Sequence, residues 1–186
     1  MAKVTLENLN KIFLSKIGKD VKAVNDFNLL LEDGEILALL GSSGCGKTTT
    51  LRMIAGFETA TSGQIKIGER IVNDLKPADR NVAMAFEGYA LYPPLTVKDN
   101  IAFSLMREKI SKDKVDSKVM EVAELLEITD ILERYPPSIS GGQQQRVSLA
   151  RALVRDSDAL LLDEPMSQLE PQLRAVLRAR VKDYIQ

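Results

Sequence analysis

Val4 and Leu6 alternate with polar neighbours near the start of the chain, and Phe27, Leu29 and Leu31 do so again before the turn Asp33-Gly34. Period-two alternation predicts half-buried strands, and the turn makes an antiparallel start the expectation. Glu35 to Leu40, EILALL, is a continuous apolar run suited to a strand buried on both faces. The pattern then becomes helical from Lys47 to Ala55, with Gly56 as the end cap. Short strands are expected at Gln64–Ile67 and Val82–Phe86. Thr96 and Asp99 form a cap before Val97, Ile101 and Leu105, and Val115, Val119, Val122 and Leu126 mark another helical face. A helical insertion over about residues 95–150 follows from these spacings. Its last helix, in SISGGQQQRVSLARAL, comes after Pro136-Pro137. ALLL, Ala159 to Leu162, predicts a second buried strand, and Leu173, Leu177, Val181 and Tyr184 stripe a final helix.

Composition narrows the function classes. The chain has 186 residues, 45% of them hydrophobic and 27% charged, the balance of a globular domain able to bury a core. No apolar run reaches the ~18 residues of a membrane span, and MAKVTLENLN lacks the apolar stretch of a signal peptide, so a cytosolic protein is expected. Cys45 is the only cysteine, which excludes an internal disulfide. The net charge of −1, with both signs interspersed, argues against a nucleic-acid groove.

GSSGCGKTTT, Gly41 to Thr50, fits G-x-x-x-x-G-K-[ST] between an expected strand and an expected helix, which is the context of a phosphate-binding P-loop. Backbone N–H groups of Gly41, Ser42, Ser43, Gly44, Cys45, Gly46 and Thr49 would turn on phosphate oxygens at the helix N-terminus. Lys47 would reach the β- and γ-phosphates, and the Thr48 hydroxyl would ligate magnesium. Asp163 and Glu164 follow directly on ALLL, so they emerge at a strand's carboxyl end, where open α/β sheets place ligands. Asp163 would hold the metal, and Glu164 would orient and deprotonate the attacking water.

The helix at Ser140 opens unusually. Ser140 and Gln143 have capping-box spacing, yet Gly141 and Gly142 each cost roughly 0.8–1 kcal/mol against alanine in a first turn. A capped turn stripped of side chains is an anion site that a polyphosphate can approach closely. Because the P-loop already serves one nucleotide, this turn would serve a nucleotide held by a different chain.

In this order and spacing, the P-loop, ISGGQ and LLLDEP resemble the ATP-binding cassette of ABC transporters, and the likeness covers nearly the whole chain. "GSSGCGKTTTLRMIAG", "YALYPPLTVKDNIAF" and "ARALVRDSDALLLDEP" are similar to the ATPase subunits of carbohydrate importers of the maltose and glycerol-phosphate type. The resemblance implies an α/β P-loop NTPase fold with a mostly parallel, RecA-like core, an N-terminal antiparallel β region and a helical subdomain. Residues 1–94, 95–150 and 151–186 would carry the P-loop core, the helical subdomain and the catalytic carboxylates of one domain. It further implies ATP and Mg2+ as ligands, a second ATPase subunit, identical or not, and permease subunits docked on a groove near Glu87 to Pro94. The protein would sit at the cytoplasmic face of the membrane and bind no nucleic acid.

Within that family Phe13 matches an aromatic that stacks on adenine, with Val24 beside it; Phe13 read by itself, between Ile12 and Leu14, also suits a core position. Glu87 stands where the family usually has glutamine; its carboxylate can ligate magnesium beside Thr48 and Asp163. Ser167-Gln168-Leu169-Glu170 ends one methylene longer than the usual S-x-L-D. The chain holds no histidine, whereas such ATPases continue into a strand ending in a switch histidine, so it reads as a cassette truncated before that strand. Two other readings follow: a remnant that binds ATP without hydrolysing it, and a soluble cassette ATPase acting on nucleic acid or ribosomes.

Overall fold

The computed structural model describes residues 1–15, 18–86, 88, 90–106 and 108–185. The chain divides into two compact units, Met1–Ala83 with Ser157–Leu161, and Met84–Asp156 with Leu162–Gln186.

The first unit is built on a four-stranded antiparallel sheet. Strand β1 (Val4–Phe13) lies between β2 (Val21–Leu31) and β3 (Ser62–Ile67), and β4 (Arg70–Ile71) pairs with β3. Leu6 faces Leu29 on one side and Ile65 on the other, so the expected antiparallel start is present. Along β1 the buried side chains are Val4, Leu6 and Leu9, a sequence that strict alternation would break after Leu6. A bulge restores it. Asn8 and Asp26 both take left-handed backbone angles, φ 48° and 47°, and the register shifts between Leu6 and Leu9. Their amides and carboxylate close the bulge: Asn8 Nδ2 donates to Asp26 Oδ1 at 2.9 Å, and Asp26 N donates to Asn10 Oδ1 at 2.9 Å.

Helix α1 (Lys47–Ala55) matches its expected bounds, and Gly56 caps it with N–H bonded to the carbonyls of Arg52 and Met53. Met53, Ile54 and Ala55 are buried. The same end is gripped by Arg80, 3% exposed, whose Nη1 donates to Met53 O and Ile54 O, Nε to Leu75 O and Nη2 to Asn73 O. A cation on the last carbonyls of a helix also complements its dipole. Burial pushes the Arg80 guanidinium below its ordinary pKa, and Asp74 partly offsets this.

Glu35–Leu40 is the exception to the expected elements. It forms no regular element and pairs with no strand among the described residues, and Ile36, Leu37 and Leu40 are exposed, Leu40 at 91%. An apolar run becomes a buried strand only where a neighbour supplies ladder partners and a covering layer, and no described strand lies beside this one. Parallel pairing among the described residues is confined to β5 (Val82–Ala85) and β6 (Ala159–Leu162). Asp158 N donates to Asn81 O and Asp163 N to Ala85 O, so the two strands advance together.

The second unit is helical. Helix α2 (Val97–Phe103) starts at Thr96, whose hydroxyl accepts from Asp99 N, as the spacing predicts. Helices α3 (Lys112–Leu125) and α4 (Gly141–Leu153) pack with it, burying Ile101, Val119, Val122, Val147 and Leu149, and α5 (Pro171–Ile185) meets α3 and buries Leu177 and Val181 of its predicted stripe. Tyr184 of that stripe is 38% exposed. No described helix is long and apolar enough to cross a membrane.

Replacing Arg80 by methionine removes its bonds to four carbonyls, of which, among the described residues, only Met53 O keeps the Gly56 N–H as a donor, at an expected cost of about 3 kcal/mol. Thermal unfolding should show the midpoint falling by several degrees, with Arg80→Lys recovering less than half of the loss. A midpoint within about one degree of wild type would remove Arg80 from the support of α1.

Candidate functional site

The phosphate loop lies in the first unit and is shaped by one close approach. Gly46 is the N-cap of α1 at φ 95°, and a Cβ there would lie 2.3 Å from the backbone oxygen of Ala23 and 3.3 Å from Val24 Cγ2. Any side chain would push the loop off β2. Val24, 7% exposed, is therefore part of the loop's seat. No side chain caps the first turn of α1, and the first turn holds no acidic residue. Uncapped N–H groups and a positive dipole end are what an anion requires.

Lys47 bends back over the loop. Its Nζ donates to Gly41 O at 2.8 Å and Ser42 O at 2.9 Å, and lies 3.6 Å from Cys45 Sγ. The ammonium is thus held at the loop's mouth by neutral acceptors. A phosphate oxygen would replace them with a charge-assisted bond, roughly twice as strong. Cys45 is exposed in the same loop. Phe13, at the end of β1, is 41% exposed, so the core alternative is excluded, and Lys11 Nζ stands 4.9 Å from its ring centroid. Lys11 also bonds Glu58 Oε1 at 2.6 Å; that bond holds the Glu58 carboxyl below its ordinary pKa.

The second unit carries the other predicted residues. Ser140 caps α4 in a complete capping box: Gln143 N donates to Ser140 Oγ at 3.3 Å, and Ser140 N donates to Gln143 Oε1 at 2.9 Å. Gly142 has a demand beyond ligand access, since a Cβ there would lie 3.3 Å from Leu169 Cδ2 and 3.5 Å from Gln168 O of the turn after β6. Asp163 is buried at the end of β6, whereas Glu164 is exposed at φ 48°, a left-handed conformation for a residue with a side chain. Among the described residues no three carboxylate, thiol or imidazole groups cluster into a metal cage. Thr48 in the first unit and Asp163 in the second each carry an oxygen donor of the kind Mg2+ takes. Glu87 lies outside the described residues.

Several side chains that the sequence reading passed over organise this unit. Asn100, fully buried, accepts from Tyr92 N and donates to the carbonyls of Tyr92, Leu95 and Thr96. Arg151 donates to Ala90 O at 2.7 Å and lies over the Tyr92 ring at 4.8 Å, and Tyr92 in turn meets Phe103 at 4.6 Å. Burial pushes the Arg151 guanidinium below its ordinary pKa, with Tyr92 acting the other way. Gln145, 1% exposed, is bonded to the turn after β6. The signal for Gln145 was present: it occupies the helical face of Leu149 and Ala152, where an apolar residue would be expected.

The family model described as ABC transporter matches residues 24–167, well over half of the chain. The sn-glycerol-3-phosphate import ATP-binding protein UgpC of Brucella abortus is 46% identical over 182 residues, covering 98% of this chain and 51% of its own length. The trehalose/maltose import ATP-binding protein MalK of Thermococcus litoralis is 50% identical over 188 residues, covering 98% and 49%, and the xylose/arabinose import ATP-binding protein XacK of Haloferax volcanii is 44% identical over 183, covering 98% and 48%. The chain thus spans about half the length of the curated relatives it matches. Among solved structures, the ATP-binding cassette MJ0796, described as a dimer in a post-hydrolysis state bound to ADP and Pi, superposes with a TM-score of 0.89 at 27% identity, covering 98% of this chain and 83% of that one. A family model across its middle and relatives across almost all of it establish that the chain belongs to the ABC transporter ATP-binding cassette family.

Proposed function

We propose that the chain binds ATP with magnesium and hydrolyses it as the energising subunit of a membrane importer for a carbohydrate or glycerol-phosphate-like solute. The observation that carries this reading is the first turn of α1, uncapped and glycine-led, with the Lys47 ammonium at its mouth. The solute class rests on the relatives, whose names are those of glycerol-phosphate, trehalose/maltose and xylose/arabinose import proteins.

Lys47 would exchange its bonds to the Gly41 and Ser42 carbonyls for phosphate oxygens; Thr48 and Asp163 would each offer an oxygen to magnesium, whose charge would offset that of the phosphates. Glu164, exposed beyond the end of β6, orients and deprotonates the attacking water. Phe13 offers an exposed face for the adenine ring, with Val24 beneath the loop. The capped, glycine-led turn of α4 closes over the nucleotide of a second ATPase subunit. The stretch from Glu87 to Pro94, with Tyr92 and Phe103 exposed beside it, receives the permease. Such a subunit lies against the cytoplasmic face of the membrane.

Lys47→Ala is expected to weaken ATP-Mg binding by about tenfold or more, near 1.4 kcal/mol, by titration calorimetry. Unchanged affinity would remove the loop from the site. A maleimide should label the exposed Cys45 thiol, and ATP-Mg should slow the labelling, because ligand and reagent compete for one loop. Equal rates with and without nucleotide would contradict that. Finally, Glu164→Gln should lower phosphate release by about 10²-fold or more while leaving ATP-Mg affinity within about twofold. Nucleotide binding with no turnover in either protein would favour the binding-only remnant over the hydrolase.

A further inference from the structure

The turn after β6, closed by the backbone bonds Ser167 N to Glu164 O and Leu169 N to Met166 O, is gripped from α4 by a buried amide. Gln145 spends its side-chain bonding capacity there: Nε2 donates to Glu164 O at 3.0 Å and to Ser167 Oγ at 3.0 Å, and Oε1 accepts from Gln168 N at 2.9 Å. From α5, Arg174 Nη2 donates to Ser167 O at 3.0 Å and Leu169 O at 2.8 Å. Inside this clamp Glu164 sits at φ 48°, a conformation that costs a residue with a Cβ about 1 kcal/mol or more and persists only where neighbours over-determine it. The bond from Gln145 to the Glu164 carbonyl fixes the peptide plane that this conformation presents. The same turn packs on Gly142 through Leu169, so the first turn of α4 and the Glu164 backbone share one set of contacts.

We propose that Gln145 is a positioning residue for hydrolysis: its amide holds the Glu164 backbone left-handed and thereby aims the carboxylate, tying that aim to the placement of the first turn of α4. The proposal rests on Glu164 acting as the base. It assigns Gln145 no contact with nucleotide, so binding at the P-loop does not depend on it. The structural contribution and the aiming contribution are separable, because a carboxylic acid at position 145 can replace the lost donor only while it is protonated.

The test uses the whole chain with Gln145→Leu and Gln145→Glu, read by amide hydrogen exchange and by single-turnover cleavage of bound ATP. In Gln145→Leu, protection over residues 164–169 should fall by about tenfold or more while residues 146–153 of α4 keep theirs. Cleavage should slow by about tenfold or more with ATP-Mg affinity within about twofold. Gln145→Glu should share the loss near pH 8 and regain protection factors near pH 5.5, since burial raises the pKa of a carboxyl and the acid form can again donate to the Glu164 carbonyl. Unchanged protection at 164–169 in Gln145→Leu would overturn the proposal. So would a loss spread evenly along α4 without recovery of Gln145→Glu at low pH, the mark of a packing role alone. If wild type fails to bind ATP, the nucleotide reading falls, and the exchange arm still decides what Gln145 holds.

Discussion

The N-terminal turn of α1 has to stay bare, and much of the first unit answers to that. A helix is ordinarily fixed at its start by a side-chain cap, which takes up one of the N–H groups that an anion can use. Gly46 leads this helix with no such bond, so anchorage moves to the far end, where Gly56 and the Arg80 guanidinium take up the last carbonyls. The helix dipole is left with an unsatisfied positive end and a complemented negative one. Val24 and the Ala23 carbonyl then set how closely the loop lies on β2.

A similar division of labour recurs at the other loops. Backbone that is in neither helix nor sheet still has donors and acceptors to satisfy, and three buried polar side chains meet that demand. Arg80 gathers carbonyls from two segments, Asn100 closes the stretch from Tyr92 to Thr96, and Gln145 closes the turn after β6. Each uses its hydrogen-bonding groups mainly on backbone, with the Ser167 hydroxyl as one further partner of Gln145, so each fixes a geometry that apolar packing could not specify.

The sequence made local features legible and long-range ones opaque. Helix α1, the Thr96 cap and the Ser140 capping box depend on residues a few positions apart and the β1–β2 pairing on neighbouring strands, and they stand where the pattern places them. The Asn8 bulge escaped notice because nothing in ENLNK distinguishes an added residue from ordinary alternation. EILALL reads as a strand because hydrophobicity is a property of the residues, whereas a ladder is a property of neighbours; no described strand pairs with it. For the site, the chemistry-bearing residues were visible as motifs. Gln145 left a signal on its helix face, but which atoms it, Asn100 and Arg80 would hold was hidden, since their partners lie 4 to 27 residues away, mostly in backbone atoms that no motif encodes.

The exposure of Ile36, Leu37 and Leu40 bears on how the purified protein behaves in concentrated solution. These side chains sit on backbone that pairs with no described strand, and no lysine or proline interrupts the run from Ile36 to Leu40. That combination is a template for another chain's backbone, and a net charge of only −1 supplies little mutual repulsion to oppose it. Five residues beside the phosphate loop thus add to the chain's tendency to self-associate, and a charged side chain at position 37 is a substitution that opposes it.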